Sequence, residues 1–107
     1  MFKPGDIVTV DFPGVTGIKR RPAVVVSTEE YQRYRPDVIL AIVTSQVAEA
    51  VTPLDYVLQD WAAANLNRAS AYRSFLITTP ATSVRLIGHC SVRDWQEIQT
   101  RLARAVA

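Results

Sequence analysis

The chain has 107 residues, 12 basic and 10 acidic side chains, a formal net charge of +2, and 49% hydrophobic residues. That length and composition suit one domain spanning 1–107 with an apolar core of its own. They exclude an internal disulfide, because Cys90 is the only cysteine, and a membrane span, because no apolar run approaches about 20 residues.

The opening Met1-Phe2-Lys3-Pro4-Gly5-Asp6 has no apolar stretch of the kind a signal peptide needs, and a cytoplasmic protein is expected. Val8, Val10 and Phe12 alternate with Thr9 and Asp11, the pattern of a strand with one face on a core, and Pro13-Gly14 should end it. Val15 to Arg21 reads as a loop holding Gly17 and the cations Lys19, Arg20 and Arg21. Pro22 follows at once, then the β-branched run Ala23 to Ser27, a strand buried on both faces. Because proline fixes its own φ and biases its predecessor towards extended backbone, Arg21 is tied rigidly to that strand.

In Ser27-Thr28-Glu29-Glu30 a hydroxyl followed by acids favours a helix start, and Arg35-Pro36-Asp37 stops the segment within two turns. Val38 to Val43 is a second apolar strand, which changes abruptly to Thr44-Ser45-Gln46. After a loop over 47–53, Leu54, Tyr56 and Leu58 alternate with Asp55 and Gln59 as another strand. Trp61 to Ala64 is compatible with one helical turn, and Asn65 and Asn67 with turns. Tyr72 to Thr78 and Val84 to Cys90 read as strands. A final helix begins at Ser91, with Asp94 in the third position of a capping box. Its apolar face comprises Val92, Trp95, Ile98, Leu102 and Ala105 or Val106. About six short strands and one closing helix make a mainly β fold, a small bent sheet or partial barrel; a parallel nucleotide-binding fold fits poorly without alternating helices.

Few chemistries are open to this chain. His89 and Cys90 point to opposite faces of a strand and have no second His or Cys to join them, so no metal site is expected and no cofactor is implied. The simpler reading is a core thiol beside a partly exposed histidine. No G-x-S-x-G, Walker loop or G-x-G-x-x-G occurs. What remains is cations and hydroxyls at strand ends: Lys19, Arg20 and Arg21 before one strand, Thr44 and Ser45 after another, and Arg73 early in a third. Gathered together they would form a phosphate-binding groove, since guanidinium groups match phosphate oxygens bidentately. Scattered, they would be solvated arginines and hydroxyls bonded to nearby backbone.

The residues Gly5-Asp6-Ile7-Val8, Asp11-Phe12-Pro13, Arg21-Pro22-Ala23-Val24-Val25-Val26-Ser27 and Ile42-Val43-Thr44-Ser45 resemble the MazF/PemK family of type II toxin–antitoxin toxins. Ser70, Arg73, Gly88 and Ser91 continue the resemblance in the family's order. It implies an SH3-like barrel of the CcdB/PemK type with a C-terminal helix, usually a homodimer. It also implies an endoribonuclease that cuts single-stranded mRNA without a metal, leaving a 2′,3′-cyclic phosphate and a 5′-OH and so inhibiting translation and growth. The cognate antitoxin would lay a disordered tail over the groove. By the same resemblance Arg21 and Thr44 are the catalytic pair, and Arg73 matches a further arginine used by some members. Lys19, Arg20, Ser45 and Gln46 beside them are expected to bind RNA with Arg73, Lys19 and Arg20 by steering it or by meeting an acidic antitoxin. Arg21 suits charge stabilisation rather than proton abstraction, because arginine keeps its proton, and the general base is left unassigned.

Two departures favour an alternative, an inactive or CcdB-like protein of the same fold that binds a protein target such as gyrase. The loop Gly14-Val15-Thr16-Gly17-Ile18-Lys19 lacks the Glu and Gln common in the family, and Phe75 stands where some members have an acid. A stacking role for Phe75 is conceivable, but a place in the core is the expectation.

Overall fold

The computed structural model describes residues 1–14 and 17–106, without the side chains of residues 12–14. Six strands form one antiparallel, curled sheet: β1 Asp6–Gly14, β2 Gly17–Val25, β3 Asp37–Thr44, β4 Tyr56–Val57, β5 Ala71–Pro80 and β6 Val84–His89. Their order across the sheet is β4-β5-β3-β2-β1-β6. Helix α1, Glu29–Tyr34, links β2 to β3, and helix α2, Val92–Val106, closes the chain.

The expected strands recur, with two changes of extent. β1 and β2 run on as a long hairpin, with Asp11 opposite Arg20 and Phe12 opposite Lys19. The three cations therefore sit in a strand rather than the expected loop, because the ladder with β1 supplies their backbone partners. Residues 15 and 16 of the expected loop lie outside the described residues. The strand expected around Tyr56 shrinks to the pair Tyr56–Val57, which meets β5 at Tyr72 and Ala71. α1 begins as its sequence directs, with the Thr28 hydroxyl accepting from Tyr31 N–H at 3.1 Å.

Alternation along the strands gives each face of the sheet its own apolar layer. Val8, Val10, Ala23, Val25, Val38, Leu40 and Val84 form one. Ile7, Val24, Ala41, Val43, Leu58, Tyr72 and Cys90 form the other, on which Ile98 and Trp95 of α2 pack. Burying a side chain such as Ile98 contributes about 2 kcal/mol. Val92 and Val106, expected on the packed face of α2, are exposed at its two ends, and the packing falls on Trp95 and Ile98 between them. Cys90 is buried, and desolvation pushes its thiol up to about 12, so it is inert core as expected.

Helix α2 is pinned by Asp94, which is fully buried. Its carboxylate accepts from the Tyr56 hydroxyl at 2.6 Å, Gln59 N–H at 3.0 Å and Asp60 N–H at 2.8 Å. The expected capping box is thus half realised. Ser91 Oγ does accept from Asp94 N–H at 3.2 Å, but the Asp94 carboxylate turns to another segment of the chain instead of reaching back. Asp60 extends the network by accepting from Ser91 Oγ at 2.6 Å and from Arg93 Nε and Nη2, both at 2.7 Å. These hydrogen bonds, that from Arg93 first, hold the Asp60 carboxyl at about 2, below its ordinary 3.8. Arg101 lies over the Tyr56 ring at 4.8 Å and donates to Asp55 O at 3.0 Å, fastening the next turn of the helix to the same segment.

Asp94→Ala removes the acceptor shared by three part-buried donors and should destabilise the protein by about 3 kcal/mol in urea unfolding. For Asp60 the folded-state value is depressed. Its stabilisation is therefore present above the ordinary carboxylate value and is lost as pH falls towards about 2. Asp60→Asn should show a smaller loss of urea midpoint over that acid range than the wild type.

Candidate nucleic-acid interface

The groove begins where β2 and β3 part. Backbone groups of alternate β2 residues face β3, as Val26 N–H does in donating to Ile39 O at 3.0 Å. Counting back by twos, Pro22 faces β3 as well, and proline has no N–H to give. The paired register accordingly stops at Ala23 opposite Ile42. Continued two residues further, it sets Arg21 opposite Thr44. Here a cation in the middle of β2 and a hydroxyl at the end of β3 stand where the two strands are no longer held together by a ladder.

A groove of about 740 Å³ opens at this gap. Lys19, Arg20, Arg21, Thr44, Ser45 and Gln46 all line it, so six of the seven residues singled out from the sequence come together. The seventh, Arg73, lines an adjoining cleft of about 320 Å³ with Glu49 and Phe75, and this cleft shares Arg21, Val43 and Thr44 with the first. The two clefts meet at the Arg21–Thr44 gap.

Local bonds decide what each group can offer. Thr44 Oγ1 accepts from Gln46 N–H at 3.1 Å, which fixes the hydroxyl and leaves its own proton free to donate. Arg20 is tethered to Thr9 Oγ1 at 3.0 Å and to Asp11 at 3.2 Å. Both partners of that ion pair are half exposed, so the pair orients Arg20 more than it stabilises the fold. Arg73 Nη1 lies 3.4 Å from Glu49 Oε2, and its Nε is buried with no partner among the described residues. Phe75 is 59% exposed beside these groups, which corrects the expected core role: it projects from the sheet face that carries Arg73, beyond the apolar layer. His89 lies outside both clefts, paired through Nδ1 with Asp6 at 2.8 Å.

Sequence reasoning missed the far wall of the groove, formed by Asn65, Asn67 and Arg68. The polar run Asn65-Leu66-Asn67-Arg68 was the available signal. Asn65 takes a left-handed turn at φ 64° and donates to Ile87 O at 2.8 Å, fixing this segment against β6. Gly88 permits the approach, since a Cβ there would come 2.1 Å from Ala64 O. Glu49 was also missed; a lone acid in a predicted loop carries no sequence signal.

A curled six-stranded antiparallel sheet with one C-terminal helix and a cationic groove defines a MazF-like fold. The family described as "PemK-like, MazF-like toxin of type II toxin-antitoxin system" matches residues 3–106. The chain therefore belongs to the PemK/MazF family and is a toxin of a type II toxin–antitoxin system.

Among solved structures it is similar to an endoribonuclease in complex with its cognate antitoxin from Mycobacterial species, with TM-score 0.81, 18% identity, and coverage of 99% of this chain and 95% of that one. It is also similar to MazE-MazF (Form-III) from Deinococcus radiodurans, with TM-score 0.77, 18% identity, and coverage of 98% and 95%. A third similar structure is the Mycobacterium tuberculosis toxin MazF-mt6, with TM-score 0.75, 19% identity, and coverage of 94% of both chains. No curated protein matches the chain in sequence.

Gly88→Ala should force the segment carrying Ala64 off β6. A loss of about 1–3 kcal/mol in thermal or urea unfolding is expected, together with faster amide exchange over residues 64–68.

Proposed function

We propose that the chain is a metal-independent endoribonuclease that cuts single-stranded mRNA at short sequences and thereby arrests translation and growth. The observation that carries this reading is the Arg21–Thr44 gap, open on both sides to clefts rich in cations.

RNA brings its own nucleophile, so the protein must bend the strand into line and stabilise charge on the phosphate. Arg21 donates to the phosphate oxygens as charge builds on them. Thr44, its oxygen held by Gln46 N–H, donates its proton to a further phosphate oxygen. Lys19, Arg20 and Arg68 draw in the flanking phosphates, and Ser45, Gln46, Asn65 and Asn67 offer hydrogen bonds to base edges or ribose. Arg73 binds a phosphate from the adjoining cleft, and Phe75 offers a face on which a base stacks.

The working protein on this reading is a single toxin domain, a cytoplasmic homodimer held by a cognate antitoxin. The neighbours described as complexes with an antitoxin support the antitoxin as partner. The cationic groove suits an acidic, disordered antitoxin tail, and the exposed Ile18, Phe75 and Leu86 supply apolar surface for association.

Arg21→Ala should reduce cleavage of a long unstructured RNA by roughly 10²–10³-fold with the fold intact by circular dichroism. Cleavage at the wild-type rate would remove Arg21 from the mechanism.

A further inference from the structure

The proposed reaction needs a proton taken from the ribose 2′-OH, and the clefts around Arg21 and Thr44 hold few groups able to take one. Among the described residues lining them, the arginines and Lys19 are cationic donors rather than proton acceptors, and the hydroxyls and amides are not basic. The side chains of residues 12–16 add no ionisable group to that set. His89, chemically suited to the role, is held by Asp6 outside both clefts. One carboxylate remains, that of Glu49.

Its placement is built. Glu49 ends a short 3₁₀ turn, Val47–Glu49, that leaves the end of β3 directly after Thr44-Ser45-Gln46. Glu49 N–H donates to Gln46 O at 2.9 Å, and Val51 N–H donates to Glu49 O at 3.0 Å. The same four-residue connection thus fixes Thr44, through Gln46 N–H, and Glu49, through Gln46 O. Arg73 then holds the carboxylate from β5.

We infer that Glu49 is the general base for RNA cleavage, a role that rests on the nuclease reading above. The Glu49 carboxylate takes the 2′-OH proton while O2′ bonds to the adjacent phosphorus. The P–O5′ bond breaks, the leaving oxygen takes a proton from solvent, and Glu49 returns its own to solvent afterwards. The negative charge that leaves Glu49 appears on the phosphate, where Arg21, and Arg73 once released from Glu49, can meet it. The alternative role, neutralising Arg73 for the sake of the fold, predicts different behaviour.

The test compares wild type, Glu49→Gln and Glu49→Ala on an RNA with one cleavage site, and measures binding to the same RNA carrying a 2′-deoxyribose at that site. Glu49→Gln should cut about 10²-fold or more slowly. It should lose the acid-side fall in kcat/KM and bind the deoxy analogue as tightly as wild type or more so. Added formate should partly restore Glu49→Ala. Wild-type rates with an unchanged pH profile in Glu49→Gln would overturn the assignment and leave the nuclease reading standing. Weakened binding, or a slowed rate with the acid-side fall retained, would make Glu49 a structural partner of Arg73 and overturn it also. No cleavage by the wild type would overturn both.

Discussion

The missing N–H of Pro22 is the constraint on which the site depends. An antiparallel ladder running on to the end of β3 would bond these two strands together along their whole length. With no donor at position 22 the register stops at Ala23 and Ile42, and the stretch of β2 carrying Arg21 is unpaired from the end of β3 carrying Thr44. The loss of one ladder bond turns a sheet into a groove. On its other side β2 stays paired to β1 through Arg21 and on to Gly17, so Arg21 is held by one neighbour while it faces the gap left by the other.

A gap of this kind is useful only if the rest of the sheet does not collapse into it. The opposing wall comes from the segment between β4 and β5, which Asp94 ties to helix α2 through Tyr56, Gln59 and Asp60. A fully buried carboxylate is costly unless its hydrogen bonds are met, and here three donors from one short segment meet them. Burial and the hydrogen bond to Asp94 raise the Tyr56 hydroxyl well above its ordinary value, so it stays a donor at any working pH. Gly88 lets the same segment close onto β6, and Asn65 locks it there. Helix, loop and sheet edge together set the far side of the groove.

Much of this was legible in the sequence, and what was not has a common physical origin. The apolar alternation and the turn residues gave the strands and both helices because each is a local signal. The Arg21-Pro22 and Thr44-Ser45 pairs were legible for the same reason: abrupt changes of chemistry between neighbouring residues. The length of the β1–β2 hairpin was missed because a cationic, glycine-bearing stretch reads as loop until a partner strand supplies its hydrogen bonds. Asp94 read as a helix cap, which is its local role, and its long-range one depends on a segment over thirty residues away. Phe75 and Glu49 were misjudged or overlooked because only the fold decides which face of β5 is left uncovered and which loop returns beside Arg73.

RNA cleavage in this groove, as proposed, uses the RNA's own 2′-OH. The most direct test is to incubate the purified toxin with a long unstructured RNA in EDTA and determine the chemistry of the new ends. Discrete fragments that end in 2′,3′-cyclic phosphate on one side and 5′-OH on the other are expected. Fragments bearing 3′-OH and 5′-phosphate ends, or no fragments at all, would contradict the proposed cleavage.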